Sequence, residues 1–182
     1  MGVVVPPSST ARGVLQKGAV LVLNPEEANA LHQRGCYGKM MSGGRLQLAP
    51  VEALYLVQNG RLEVFDSKGK SFDFDELARR FSKIDPDLKL KLAVYSDLRS
   101  RGFIVKTGLK FGTHFRVYDR GERPGKAHSK FLVHAVPESA KVGMVEIARA
   151  VRLAHGVRKR FLWAVVDEEG DVTYYAVTWE RL

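Results

Sequence analysis

Three polar side chains in the last third of the chain have the chemistry to work together on a phosphodiester. Tyr118 lies in Phe115-Arg116-Val117-Tyr118-Asp119-Arg120-Gly121. His128 lies in Lys126-Ala127-His128-Ser129-Lys130, and Lys159 in Val157-Arg158-Lys159-Arg160. An imidazole titrates near ~6.5, so it gives or takes a proton close to neutrality. A phenol, with a pKa near ~10, is a poor base unless nearby cations favour the phenolate. Arg116, Arg120 and Lys159 are candidate sources of that field. A base, an acid and a fixed positive charge suffice to cut RNA without a metal, because the adjacent 2′-hydroxyl is the nucleophile. Tyr118 would withdraw the 2′-hydroxyl proton, His128 would protonate the departing 5′-oxygen, and Lys159 would stabilise charge on the pentacoordinate phosphorus. The products would be a 2′,3′-cyclic phosphate and a 5′-hydroxyl.

Composition fits a polyanionic partner. The chain has 182 residues and a formal net charge of +9, which favours nucleic acid. Residues 1–85 carry 11 basic and 9 acidic side chains, and residues 86–182 carry 18 and 11. The second half is therefore the expected footprint. With 45% hydrophobic and 27% charged residues the chain is expected to fold as a soluble globule. No apolar run approaches the ~20 residues of a membrane span. Met1-Gly2-Val3-Val4-Val5-Pro6-Pro7 lacks the features of a secretory signal, and Cys36 is the single cysteine. Together these predict a reducing, cytoplasmic setting.

The elements that must position the three side chains follow from caps and periodicity. Residues 8–12 read as a loose polar segment and Gly18 to Leu23 as a strand. Asn24-Pro25-Glu26-Glu27 predicts a helix start, with Glu27 completing a capping box, and Gly35 its end. Gly38 to Gly44 reads as a loop, Arg45 to Leu48 and Leu62 to Phe65 as strands, and Pro50 to Gln58 as a helix. Asp73 with Glu76 begins another helix running through Phe81. Lys83-Ile84-Asp85-Pro86-Asp87 is the predicted boundary. Beyond it, Leu88, Leu92, Tyr95 and Leu98 recur at helical spacing. Strands are predicted at 103–106, 115–118, 130–136, 161–166 and 172–179, with a hairpin turn at Glu168-Glu169-Gly170-Asp171. One helix, 142–157, interrupts them, with Met144, Ile147, Ala148, Val151 and Ala154 as its apolar face. Arg152, His155 and Lys159 then fall on one side of that helix and its end, where they can meet an anion. Arg152 can also stack on an unpaired base. The fold class is α/β (α+β): a small mixed N-terminal domain, 1–85, and a C-terminal nuclease-like domain, 86–182, with a mixed sheet and two helices.

Rival chemistries lack their residues. There is no P-loop glycine pattern and no His-Glu-x-x-His or paired-cysteine motif for zinc, so no metal or cofactor is expected. Asp66-Ser67-Lys68 has the Asp-x-Lys spacing of metal-dependent nucleases, but no Pro-Asp strand precedes it. His32, His114 and His134 form no evident ligand cluster. Trp163 and Trp179 sit in strand patterns typical of core or interface.

The run Arg99-Ser100-Arg101-Gly102-Phe103-Ile104-Val105-Lys106-Thr107-Gly108-Leu109-Lys110-Phe111-Gly112 resembles the start of the catalytic domain of archaeal tRNA-splicing endonucleases. Phe115 to Tyr118, Ala127-His128-Ser129, Val151 to Lys159, Val165-Val166-Asp167, Gly170-Asp171 and Tyr174-Tyr175 continue the resemblance. Pro50 to Leu56 and Gly60 to Val64 resemble the family's N-terminal domain. The resemblance implies metal-independent excision of introns from precursor tRNA at bulge-helix-bulge structures. Tyr118, His128 and Lys159 fall on the family's triad positions, and Arg152 on a position that holds a bulged base. It also implies dimers or tetramers in which the final strand pairs with its equivalent. An acidic loop there docks on another subunit, and Asp167, Glu168, Glu169 and Asp171 match that loop. Gly38 to Gly44 is longer than the matching loop of homotetrameric members. That length favours a heterotetramer with a second, non-catalytic subunit over a homo-oligomer, with Lys39 and Arg45 as RNA contacts. The alternative readings are a non-catalytic RNA-binding or scaffold subunit, and a metal-dependent DNA nuclease on a similar sheet.

Overall fold

The computed structural model describes residues 10–180 and Leu182. The predictions made for residues 1–9 lie outside the described residues. The chain divides into two compact units, with the break between Pro86 and Asp87.

In the first unit, β1 (Ala11–Gln16), β2 (Ala19–Val22), β3 (Lys39–Met40), β4 (Leu46–Leu48), β5 (Leu62–Phe65) and β6 (Ser71–Phe72) form one sheet. Their order is β3-β4-β2-β1-β5-β6. Helices α1 (Pro25–Gly35), α2 (Pro50–Gln58) and α3 (Phe74–Ser82) accompany it. The Asn24 side chain caps α1 by accepting from the backbone N–H of Glu26 and Glu27. Glu27 does not complete a capping box. Its carboxylate instead accepts the backbone N–H of Arg12 at 2.8 Å and ties the helix to β1. Asp73 caps α3 through the Glu76 N–H at 2.7 Å. Two segments differ from the sequence reading. Residues 11 and 12 belong to β1, which pairs antiparallel with β2 and parallel with β5. Residues 38–44 hold a short edge strand, β3, and a single 3-10 turn at Ser42–Gly44. The Asp66 carboxylate accepts the backbone N–H groups of Lys68 and Lys70 and closes the β5–β6 turn.

The second unit is a mixed five-stranded sheet in the order β11-β10-β9-β8-β7. Its strands are β7 (Ile104–Thr107), β8 (Phe115–Tyr118), β9 (Phe131–Pro137), β10 (Arg160–Val166) and β11 (Val172–Val177). Only β9 and β10 run parallel, and α5 (Met144–Gly156) makes the crossover between them. Helix α4 (Leu88–Ser100) precedes the sheet and buries Leu88, Val94, Tyr95 and Leu98. Tyr95 meets Phe115 of β8 at 5.8 Å between ring centres, which places α4 on one sheet face. The other face carries Leu132, Phe161 and Trp163, packed with Ala154, Ile147 and Ala150 of α5. Burying such side chains contributes ~1.5–3 kcal/mol each, so this face fixes α5 and, with it, the start of β10. Met144 is a correction to the expected apolar face. It is 78% exposed, Ala148 is exposed as well, and both line the groove beside α5 rather than the packed core.

Candidate active site

Sheet register brings the three chemically promising side chains to one end of the second unit. β8 runs antiparallel to β9, so Tyr118 at its C-terminal end lies beside the start of β9. β10 runs parallel to β9, so Lys159, just before β10, arrives at that same end. His128 lies in the loop that leads into β9. Two backbone hydrogen bonds fasten this corner: the Lys130 N–H donates to the Val117 carbonyl at 2.8 Å, and the Arg160 N–H to the Lys130 carbonyl at 3.0 Å. The Lys159 ammonium adds a third link, donating to the Ser129 carbonyl at 2.7 Å. Ser129 directly follows His128 in sequence, so lysine and histidine are joined through one buried residue.

The side chains differ in exposure. Tyr118 is buried at 4% exposure, Lys159 is half-buried and His128 is exposed. Burial pushes the Lys159 ammonium below its ordinary value, and the neighbouring Arg116 charge adds to that fall. The Lys159 Nζ also lies 5.7 Å from the centre of the Phe111 ring. Gly108 permits the turn that carries Phe111. A Cβ there would stand 2.4 Å from Thr113 Oγ1 and 2.8 Å from the backbone of Phe115.

The loop from Asp119 to Lys130 is organised. Asp119 forms an ion pair with Lys130 across its base. The Lys130 hydrogen bond, then the Arg120 backbone N–H, hold the Asp119 carboxyl below the usual range. The Ala127 N–H donates to the Arg123 carbonyl at 3.0 Å, and Pro124 forms an isolated bridge with Ala127. Of the suggested cations, Arg116 holds its Cζ 5.9 Å from the Tyr118 ring centre. Arg120 turns away, donating to the Arg101 carbonyl at 2.9 Å with its Cζ 5.0 Å from the Phe103 ring centre.

Arg152 and His155 lie on α5, and Lys159 lies just beyond its end. Helix α5 ends at Gly156, and Arg158 takes a left-handed φ of 55°. Such a φ redirects the chain, and Lys159 leaves the helix for β10. Arg152 and His155 instead line a groove beside α5 with Val151, Val177 and Trp179. His155 and Trp179 meet edge-on at 4.9 Å between ring centres. The acidic turn between β10 and β11 is exposed at Glu168, Glu169 and Asp171. Its Asp167 carboxylate is occupied by the Asp171 N–H at 2.8 Å, and the Glu168 N–H donates to Glu138 at 3.1 Å. In the first unit, Lys39 is exposed on the edge strand β3, and Arg45 donates to the Ser42 carbonyl at 3.1 Å.

Two features escaped the sequence. His114 and His134 stack at 4.1 Å, and the Ala135 N–H donates to His114 Nδ1 at 3.1 Å. The other is the lone charge of Arg116, whose buried Nε has no acceptor among the described residues. Also among the described residues, no group of three or more His, Cys, Asp or Glu is placed to hold a metal ion.

Tyr118, His128 and Lys159 thus lie on elements that meet at one end of a basic unit, an arrangement suited to a protein that cuts RNA. Comparison with known proteins gives the same class. Residues 88–174 match the family described as tRNA intron endonuclease, catalytic C-terminal domain. Residues 11–78 match tRNA intron endonuclease, N-terminal domain. The chain is 46% identical over 153 residues to a tRNA-splicing endonuclease of Thermococcus kodakarensis, covering 84% of this chain and 88% of that one. It is 41% identical over 172 residues to one of Methanothermobacter thermautotrophicus, covering 93% and 97%. It is 44% identical over 170 residues to one of Methanosarcina mazei, covering 93% of this chain but 48% of that longer protein. The chain thus spans about half the length of some relatives and most of others. It belongs to the tRNA-splicing endonuclease family.

Proposed function

We propose that this chain is a catalytic subunit that excises introns from precursor tRNA at bulge-helix-bulge structures, by transesterification that needs no metal. Tyr118 takes the 2′-hydroxyl proton, His128 protonates the leaving 5′-oxygen, and Lys159 stabilises the charge that builds on phosphorus. The cut leaves a 2′,3′-cyclic phosphate and a 5′-hydroxyl. The observation that carries this reading is the meeting of β8, the His128 loop and the start of β10 at one corner, fastened by the bond from Lys159 to the Ser129 carbonyl. Recognition rests on bulge geometry and phosphate spacing more than on base sequence. Arg152, in the groove with Trp179, holds an unpaired base, and Lys39 and Arg45 add phosphate contacts. The acidic turn of Asp167, Glu168, Glu169 and Asp171 docks on a neighbouring subunit, in a heterotetramer with a non-catalytic partner chain. No helix among the described residues is long and apolar enough to cross a membrane, and the proposed location is the cytoplasm.

Substituting His128→Ala tests the chemistry. Single-turnover cleavage of an intron-containing precursor should fall by ~10²–10⁴-fold, with RNA affinity nearly unchanged because His128 is an exposed loop residue. Undiminished cutting by the variant would refute the assignment.

A further inference from the structure

Arg116 holds its Cζ 5.9 Å from the Tyr118 ring centre, and its buried Nε has no acceptor among the described residues. Arg116 stands two residues before Tyr118 on β8, so the two share a sheet face. Its cross-strand neighbours identify that face. Arg116 opposes Leu132 on β9, and Leu132 opposes Phe161 on β10. Leu132 and Phe161 belong to the cluster under α5. Lys159, two residues before Phe161, follows the same side, as its contact with Phe111 confirms. On its other flank Arg116 opposes Lys106 of β7, a further cation. Among the described residues Arg116 forms no ion pair, and its Nε is buried without an acceptor. A buried donor left unsatisfied is costly, and the nearby Lys159 ammonium adds like-charge repulsion. Arg120, by contrast, donates to the Arg101 carbonyl. The unmet need of this corner is therefore an anion set between Arg116 and Lys159, beside the Tyr118 phenol.

We propose that Arg116 is a further catalytic residue, which donates to a non-bridging oxygen of the scissile phosphate alongside Lys159. This rests on the cleavage reaction proposed above. A guanidinium presents several donors in a fixed plane, which suits a phosphate better than a point charge does. The division of labour follows from geometry. Lys159 spends one donor on the Ser129 carbonyl, while the Arg116 Nε, without an acceptor among the described residues, is left to meet the charge that grows on the equatorial oxygens. Its nearness also accounts for part of the lowered proton affinity of Lys159, so losing Arg116 should raise the pH at which Lys159 deprotonates.

The test compares wild-type protein with Arg116→Gln, Arg116→Lys and His128→Ala. It reads single-turnover cleavage of an intron-containing precursor, binding of the same RNA with a 2′-deoxy nucleotide at the scissile position, and thermal melting. Arg116→Gln should cut about 10²-fold more slowly and bind the uncut RNA less than about tenfold more weakly, with its alkaline limb moved upward. Arg116→Lys, which keeps the charge, should recover part of the rate. If Arg116→Gln does not fold, Arg116→Lys decides the matter with a phosphorothioate at each non-bridging oxygen. A sulfur penalty at one oxygen that shrinks in the variant supports the contact, and identical penalties in the two proteins overturn it. Arg116→Gln that folds and cuts within twofold of wild type also overturns it. Failure of the assembled wild-type enzyme to cut would instead overturn the underlying reaction.

Discussion

Replacing Lys159 by Met separates two roles that the structure joins in one side chain. The Met side chain retains the apolar stem against Phe111 but removes the ammonium. The Ser129 carbonyl then loses its 2.7 Å donor inside a residue only 6% exposed. A hydrogen bond from a charged donor is worth ~1.5–3 kcal/mol. Lys159 is half-buried, and water reaches part of that gap, so about 1–2 kcal/mol is the expected loss. For a unit of this size the melting temperature should fall by roughly 4–16 °C. Backbone amides from Ser129 to Phe131 should exchange faster than those of β10. The chemical effect is separate. Removing a preorganised positive group from a developing oxyanion costs ~10²–10³-fold in rate. Calorimetry, amide exchange and single-turnover cleavage read the three effects on one variant. If Lys159→Met melts with the wild type and leaves Ser129 to Phe131 protected, the link to the His128 loop is not structural. If it also cuts within a few-fold of wild type, Lys159 does not serve the reaction.

Three further outcomes follow from the same geometry. Burial and then Arg116 lower the proton affinity of Lys159, so the alkaline limb of cleavage should lie below the ordinary lysine value of 10.5, and a pH–rate profile reads it directly. The Tyr174 hydroxyl donates to Asp97 at 2.7 Å and pins β11 to α4. Because Arg101 still holds Asp97 through two bonds, Tyr174→Phe should cost only about 1 kcal/mol, measured by denaturant unfolding. Burial lowers the proton affinity of His134. Its contribution to stability is therefore full above the unfolded value near ~6.5 and is lost as pH falls below it. Melting between pH 7.5 and 5 should show that loss, and His134→Gln should flatten it.

The sequence was most legible where one short signal sufficed. Asn24 and Asp73 cap the helices that follow them, and α2, β5 and β8 fall where caps and alternation put them. β1 was missed because its core-facing residues are small: Ala11 and Gly13 bury without giving a hydrophobic alternation. Gly13 is required there, since a Cβ would stand 2.4 Å from Val20 Cγ1. The apolar face of α5 is only partly as the periodicity has it: Ile147, Val151 and Ala154 turn inward, but Met144 and Ala148 are exposed and Ala150 packs in their place. The spacing of Arg152, His155 and Lys159 is counted as if the helix continued. The helical count ran past Gly156 into a left-handed turn at Arg158. For the site, residue types pointed to Tyr118, His128 and Lys159, but only register shows which strand ends meet. The His114–His134 stack depends on that same register, twenty residues apart in sequence. That the buried Arg116 Nε has no acceptor among the described residues is a property of its surroundings and leaves no mark on the sequence.

The most direct test of the account uses one precursor RNA made twice, with ribose or 2′-deoxyribose at the scissile nucleotide, cut by the assembled enzyme in a chelator. The account predicts that the ribose substrate is cleaved to a cyclic phosphate end, while the deoxy substrate is bound but stays whole. Cleavage of the deoxy substrate, or a linear 3′-phosphate as the first product, would contradict it.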